Sequence, residues 1–431
     1  MSRRTETMSR EMKDSGIEWI GQIPKEWEVC PIRRIMRNRS ERNQPDAEVL
    51  SLYRDWGILP KNSRNDNHNV TSEDTTNYKV VHKGDFVINK MKAWQGSMAV
   101  SDYDGIISPA YYVCNFIGKN IYKRYIHHLL RNESYKTEYM RLSSGLRVGQ
   151  WDLNIENFLR IPMVLPSLLE QQKIADYLDK VCGEVDEMVA LQEKMIEELK
   201  AYKQSIITEA VTKGLNPNAP MKDSGIDWIG EIPEHWDKNK VCRMFKLIGS
   251  GTTPSSSDNE AFVGNINWIQ SGDINGGDLI ESKNKISENT LLKYSALTLY
   301  NAPFIIVAMY GASVGNISIS RIDGCVNQAC CVLGDSTIDL NYAFYTIKAA
   351  QKYLIYKAVG GGQPNISQFT LKQLWLPEPP VDEQRSIASY LDTKCSEIDA
   401  LIAIKQAKIE ELKDYKKSVI YEYVTGKKEV V

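Results

Sequence analysis

Two stretches of this chain carry hydrophobic positions at alternating spacings of four and three residues. The first runs Ile174, Leu178, Val181, Val185, Met188, Gln192, Met195, Leu199, Tyr202, Ile206. That alternation predicts a long helix with a coiled-coil seam rather than a broad core face. The second runs Ile387, Leu391, Lys394, Ile398, Leu401, Lys405, Lys408, Leu412, Tyr415, Val419. Its three lysines weaken the seam and imply one-sided packing or a shifted register. Ser167 and Glu170 after Pro166 make a capping box for the first helix. Pro379, Pro380 and Asp382 can open the second. Gly214 and Gly426 are stop signals. Each helix then covers about 45 residues, roughly 65–70 Å. Gly183 inside the first costs about 1 kcal/mol and marks a candidate bend. Two such helices can pair antiparallel, with the intervening blocks at opposite ends about a pseudo-twofold axis. Alternatively the seams bind partner helices. The packing positions are Ile174, Leu178, Val185 and Leu199 with Ile387, Leu391, Ile398 and Leu412.

The helices belong to a larger repeat. MKDSGIEWIGQIPKEW begins at Met12, and MKDSGIDWIGEIPEHW begins at Met221, 209 residues later. The helical segments beginning at Glu170 and Glu383 repeat at 213. Between the repeats lie two blocks, about 28–165 and 238–376, that look unlike each other. A duplicated frame around two different inserts implies one mechanical job and two ligands. The predicted organisation is a motif and first block (1–165), a spacer helix (166–215), a second motif and block (216–376) and a second spacer helix (377–431). The class is α+β, with two mixed α/β domains.

Within the first block, Ile32, Ile35 and Met36 give a helical frame beneath Arg33, Arg34, Arg37, Arg39 and Arg42. Lys83–Val100 reads as strand, loop, strand, and Asp104–Cys114 as a strand broken at Ser108-Pro109. A helix fits Tyr122–Leu142. In the second block, Ile266–Ile274 reads as a strand, and Phe304–Ser320 as two strands joined across Gly311 to Gly315.

Net charge is −2, which taken alone argues against a nucleic-acid partner, but it is unevenly spread. Residues 28–165 hold 20 basic against 15 acidic residues, and 238–376 hold 12 against 9. The helical segments are acidic, with 6 against 10 over 166–220 and 9 against 11 over 377–431. DNA attracts the blocks and repels the rods, so the blocks should face a duplex. The eight cysteines include no C-x-x-C pair and no zinc or disulfide spacing, so they read as small apolar residues in a reducing compartment. The polar N-terminus and the lack of a long apolar run predict a cytoplasmic protein. There is no phosphate loop, no N-P-P-[YF] element and no catalytic triad or metal cluster. The chain reads as a binder, not an enzyme.

The candidate contacts are polar side chains on loops. In the first block these are Lys90, Lys92, Trp94 and Gln95, with Arg54, and then Arg147 and Gln150 beyond the helix. Amide and ammonium groups can hydrogen-bond base edges, and Trp can stack or wedge. The second block offers Gln270, Ser271, Asp273, Tyr310, Ser313 and Gln328. Gln363 lies 213 residues after Gln150, each following a Gly-containing loop. Each of these residues also fits an ordinary turn or core role, and spacing alone does not decide between them.

The doubled SG-I-[ED]-W-I-G-[EQ]-I-P motif, the doubled I-A-x-Y-L-D helix opening, and the K-G-D-F, W-I-x-S-G-D-I and G-A-S-V-G-N segments resemble specificity subunits of Type I restriction–modification systems. The resemblance covers nearly the whole chain after Met12. It implies two target-recognition domains, each reading half of a split, asymmetric DNA sequence. It implies helices that fix the unread spacer and dock two modification subunits. Those partners would carry S-adenosylmethionine, and restriction subunits would use ATP and Mg; this chain would hold no cofactor. Half-sites on one DNA face should sit about one helical turn apart, ~10 bp. A heptad inserted in both helices should lengthen the spacer. The competing reading is a coiled-coil scaffold with two protein-binding domains, which predicts no salt-dependent DNA affinity.

Overall fold

The computed structural model describes residues 10–430 apart from 55, 65–70, 73, 146–150, 256, 259, 312 and 359–364. The chain folds as two compact units. Unit 1 comprises Met1–Glu193 with Ala407–Val431, and unit 2 comprises Lys194–Gln406.

The sheet of unit 1 is built from β1 (Met36–Arg39), β2 (Phe86–Asn89), β3 (Met98–Val100) and β4 (Tyr111–Phe116), in the order β1-β4-β2-β3. All its pairings are antiparallel. Strand alternation sends Phe86 and Ile88 to one core and Val87, Ala99 and Val113 to another. Both faces are therefore covered, which explains the near-continuous apolar run. Two helices follow, α1 (Lys123–Arg131) and α2 (Glu133–Leu142). The single helix expected from Tyr122 to Leu142 is thus broken. At the break, extended Asn132 caps α2 by accepting from the Ser134 N–H. The helix expected around Ile32 is a 3-10 turn over Ile32–Arg34 that feeds β1, because Ile32, Ile35 and Met36 bury into the sheet's core.

After α3 (Leu168–Lys213), unit 2 repeats this plan with β5 (Phe245–Gly249), β7 (Phe304–Ala308), β8 (Ile317–Ser320) and β9 (Cys330–Ser336), while β6 (Ile266–Ile269) is the middle strand of a separate three-stranded sheet. The sheet order is β5-β9-β7-β8, extended by the short strand Asp278–Leu279. Ile305 and Val307 face one core, and Phe304 and Ile306 face another. Beyond lie α4 (Leu340–Ala349) and α5 (Val381–Val424). Two blocks of dissimilar sequence thus share one strand order.

Each unit is closed by the end of the long helix that is not its own. In unit 1 the Tyr125 hydroxyl donates to the carbonyls of Val164 and Val424. In unit 2 Tyr342 does the same to Pro377 and Val211. Gly426 (φ 71°) and Gly214 (φ 74°) end α5 and α3 against Trp27 and Trp236. A Cβ at Gly426 would lie 2.3 Å from Pro24, so both the backbone conformation and the close approach require glycine there. Fully buried Gln171 accepts from the Tyr122 N–H and donates to Asn120 and Pro166, and Gln384 repeats the arrangement with Asp339 and Pro379.

Within unit 1, Asp186 pairs with Lys416 at 2.6 Å and Tyr177 meets Tyr423, so the two helical segments run antiparallel. In unit 2, Lys203 pairs with Asp399 while Ile207 and Val211 share a core with Ile387 and Leu391. The seam differs from the expected heptads. Buried isoleucines and valine recur every eleven residues, at Ile174, Val185, Ile196 and Ile207 in α3 and at Ile387, Ile398 and Ile409 in α5. Leu178 and Leu391 are buried as well, whereas Leu199 and Leu412 are half-buried. Met188 and Tyr202 of the expected seam are 52% and 59% exposed. Eleven residues over three turns is 3.67 per turn, close to a relaxed helix, whereas a heptad line drifts around it. Lys394 and Lys408 fall off the buried line and pair along their own helix with Glu397 and Glu411. The capping box is half formed: Ser167 accepts from the Glu170 N–H, but the Glu170 carboxylate binds Arg10 and Trp27. The helix passes Gly183 without interruption.

The units differ where α1 and α4 meet the long helices. In unit 1, Arg124 and His128 both donate to Asp179. Burial alone would raise the Asp179 carboxyl, but the hydrogen bonds from His128 and Arg124 outweigh it and hold the group down at about 2. Burial keeps His128 below the ordinary histidine value, and burial together with Arg131 does so for His127. At the corresponding places unit 2 has Phe344 and Tyr345, and Tyr345 donates to Asp392. Acid should therefore destabilise unit 1 selectively. An unfolded chain takes up histidine protons below about pH 6.5 that the fold refuses. The Asp179 contribution is complete above its unfolded value near 3.8 and is lost as pH falls through about 2. Hydrogen-exchange protection of unit 1 should fall about tenfold per pH unit for each such proton, while unit 2 holds. His127→Phe with His128→Tyr should remove the upper step. An unchanged pH profile in that variant would refute the assignment.

Candidate nucleic-acid interface

The strand order brings polar loops of each unit to one end of its central strands. In unit 1, Asn89 at the end of β2 pairs with Tyr111 at the start of β4. The chain then turns through a 3-10 segment, Ala93–Gln95, into β3. Gly96 sits at φ 78° and permits that turn. Lys90 is half-buried and stands 3.5 Å from Asp152, while Lys92 is exposed. Trp94 is half-buried, donates to the Met91 carbonyl at 3.1 Å, and meets Trp151 edge-on at 5.5 Å. Arg54, on the turn after Leu50–Tyr53, donates to the Gln95 side-chain oxygen. Arg131 donates to the Arg54 carbonyl and ties this turn to α1. Arg54, Lys90, Lys92, Trp94 and Gln95 therefore form one neighbourhood, although Arg54 is far from the rest in sequence.

Sequence reasoning passed over four neighbours, Trp56, Arg64, Trp151 and Asp152. Trp56 is 64% exposed, with the Arg64 guanidinium 5.1 Å above its ring. Two tryptophans flanked by charged residues on Gly- and Asn-rich turns were the available signal. Of the arginine cluster, Arg34 is paired with Glu28 and Arg39 with Asp85, while Arg33, Arg37 and Arg42 are exposed. Arg147, Gln150 and Gln363 lie outside the described residues.

The same strand ends in unit 2 gather Ser250–Thr253, Gln270–Asp273, Tyr310, Ser313 and Asn327–Gln328. Asn327 N–H donates to the Ile269 carbonyl at 3.0 Å, and Met309 N–H donates to Ala329 at 2.7 Å. The exposed Gln328 side chain accepts from the Thr253 hydroxyl. Ser271 and Ser313 are half-buried, and Tyr310 packs partly against the core. Burial raises the Tyr310 phenol above its ordinary value, so it is a neutral donor. Gln270 is partly committed: its side-chain oxygen accepts from Asn284 and its backbone carbonyl from the Asp273 N–H, which leaves its NH2 to offer. Asp273, grouped with the contacts from sequence, sits within the turn itself. It is buried, and its carboxylate accepts from the Gln270 N–H at 2.9 Å. A short polar residue after a strand satisfies its own backbone before it reaches a ligand.

The two sets of strand ends thus differ in chemistry on a common frame. Unit 1 presents lysines, arginine and tryptophans, whereas unit 2 presents amides and hydroxyls. Seven cysteines are buried and Cys242 is exposed, all as free thiols. Burial pushes Cys114, Cys330 and Cys331 up to about 12, so they carry no nucleophile at neutral pH. Among the described residues no His/Cys/Asp/Glu group could hold a metal, and no helix is long and apolar enough to cross a membrane.

Residues 24–201 and 233–414 each match the family model described as the Type I restriction modification DNA specificity domain. The chain is 24% identical over 427 residues to the putative type I restriction enzyme MjaX specificity subunit of Methanocaldococcus jannaschii, covering 95% of each. It is 21% identical to the EcoKI specificity subunit of Escherichia coli K12, covering 89% of this chain and 86% of that one. Its fold resembles a chain solved in work on complex assembly and conformational transition of the type I R-M system, with TM-score 0.71, 17% identity and coverage of 93% and 98%. It also resembles the HsdS subunit from Thermoanaerobacter tengcongensis, with TM-score 0.51, 17% identity and coverage of 94% and 98%.

Proposed function

We propose a function from one premise: this chain belongs to the Type I restriction modification DNA specificity family. It is a recognition subunit without catalysis of its own, as its specificity-subunit relatives are. In this proposal each unit reads one half of a split DNA target. The helices set the unread gap and dock two modification subunits that bring S-adenosylmethionine, and ATP-dependent restriction subunits complete the complex.

One observation carries the reading. A shared strand order presents different polar groups at equivalent strand ends, β2/β4 in unit 1 and β7/β9 in unit 2. In unit 1, Lys92 and Lys90 meet phosphate or guanine oxygens, and Trp94 with Trp151 walls the groove. Because Arg54 engages the oxygen of Gln95, this pair offers donors and favours guanine N7 and O6 over adenine. Unit 2 reads through Gln270, Ser271, Tyr310, Ser313 and Gln328, whose donors and acceptors suit mixed sequences. Arg147, Gln150 and Gln363 stay candidates on their sequence pattern. Docking is supported by matched exposed apolar trios, Met188, Leu191 and Tyr415 in unit 1 and Leu401, Ile404 and Tyr202 in unit 2.

The test is co-expression with a modification subunit, followed by mapping of methylated adenines. A split motif with a fixed gap is expected. Exchanging the block 28–165 for that of another specificity subunit should change one half-site and leave the other. A change in both would end the modular reading. Lys90→Ala with Lys92→Ala should weaken DNA binding and flatten its salt dependence by about two phosphate contacts. Salt-independent binding by the unaltered chain would favour a protein-binding scaffold.

A further inference from the structure

The repeat allows the two motif–helix junctions to be compared residue by residue. In unit 1, Arg10 enters the junction. Its guanidinium forks onto Glu170 at 2.5 and 3.1 Å, stands 3.5 Å from Glu26 and lies 5.8 Å from the centre of the Trp27 ring. Glu170 also accepts from the Trp27 indole at 3.1 Å.

Unit 2 repeats the backbone of this junction. Glu234 N–H donates to the Pro220 carbonyl as Lys25 N–H does to Glu11. The hairpins pair alike, Met12 with Pro24 and Met221 with Pro233. The carboxylate is kept, and Glu383 accepts from the Trp236 indole at 2.9 Å. The arginine is not kept: the residue 209 positions after Arg10 is Ala219. Beside Ala219 lies an open cleft of about 220 Å³ lined by Gly214, Leu215, Ala219, Pro233, His235 and Glu383, in which the Glu383 side chain is 42% exposed. A water claims about 30 Å³ of liquid, so the space exceeds that of a lone solvent molecule. Lys213 also borders the cleft. Among the described residues, the ion pair of Glu383 is with His235 alone, at 2.7 Å.

We infer that this cleft is a guanidinium-binding site. A carboxylate has about four acceptor positions, and the indole and imidazole take one each. A planar fork is the group that satisfies the remainder while packing flat, as Arg10 does in the other unit. An ammonium lacks both the plane and the paired donors. The occupant is either an arginine side chain on a partner protein or a free small guanidine. This inference is independent of the DNA-reading proposal.

The test uses the full-length chain. Ala219→Arg restores the missing side chain in cis. It should raise the melting midpoint above that of Ala219→Met, a size control, and the difference should vanish when both carry Glu383→Gln. An arginine variant no more stable than the methionine one, or one whose gain survives Glu383→Gln, overturns the inference. The unaltered chain, labelled with 15N-tryptophan, is then titrated with methylguanidinium, n-butylammonium and acetyl-Gly-Arg-Gly-amide. The reporter is the indole resonance that moves in Ala219→Arg. Saturable shifts with the guanidinium compounds and none with butylammonium are expected, and Ala219→Arg should abolish them. Peptide binding at least as tight as methylguanidinium identifies a protein-borne arginine, and methylguanidinium binding alone identifies a free guanidine. No saturable shift with either, or an equal response to butylammonium, overturns the site.

Discussion

A chain carrying Met188→Glu and Leu191→Glu should bind one modification subunit instead of two, and adding Leu401→Glu and Ile404→Glu should leave none. The four side chains are between 47% and 62% exposed. They also correspond through the repeat, Met188 to Leu401 and Leu191 to Ile404. A duplicated apolar surface on the otherwise acidic helices fits two copies of one partner. Fully burying a side chain of this kind contributes roughly 1.5–3 kcal/mol. Losing a pair therefore weakens each site by about a hundredfold or more. The isolated chain should melt as before, since exposed substitutions usually stay within about 0.5 kcal/mol. Light scattering of the purified complex reads the stoichiometry. Unaltered assembly by the four-site variant would place docking elsewhere.

The second large effect concerns the gap. Seven residues inserted after Glu193 and seven after Gln406 should lengthen the unread spacer by about three base pairs. Each insertion adds about 10.5 Å of helix, and DNA rises 3.4 Å per base pair. Seven residues at 3.6 per turn fall only about 20° short of two full turns, so the buried lines stay nearly aligned. Three base pairs do rotate one half-site relative to the other, so affinity should fall even as the motif changes. An insertion in one helix alone misaligns Asp186 with Lys416 or Lys203 with Asp399 and should abolish methylation. An unchanged gap in a double insertion that still methylates would remove the ruler from the mechanism.

Several features of this fold were legible because they are local or repeated. Gly214 and Gly426 marked the helix ends by a backbone conformation that glycine tolerates best. The 3-10 turn between β2 and β3 fell where Lys90–Gly96 interrupts two apolar runs. The helix break at Asn132 was missed because Asn is tolerated inside a helix and reveals itself as a cap only in three dimensions. The heptad line was misleading for a different reason. Met188 and Tyr202 lie off the buried line and are exposed although apolar, and a sequence pattern records hydrophobicity without recording what covers it.

By itself the sequence determined the duplication, the two long helices, the basic blocks on an acidic frame and the positions of the loops. Each of these depends on residue type and spacing along the chain. Tertiary structure alone decided which loops meet. Arg54 joins Gln95, Thr253 joins Gln328, and Val424 closes the unit begun by Trp27. It also turned Asp273 inward and left an open cleft beside Ala219, which stands in place of arginine. These depend on strand register and on distances across space, which are set by packing of the whole unit rather than by any local preference.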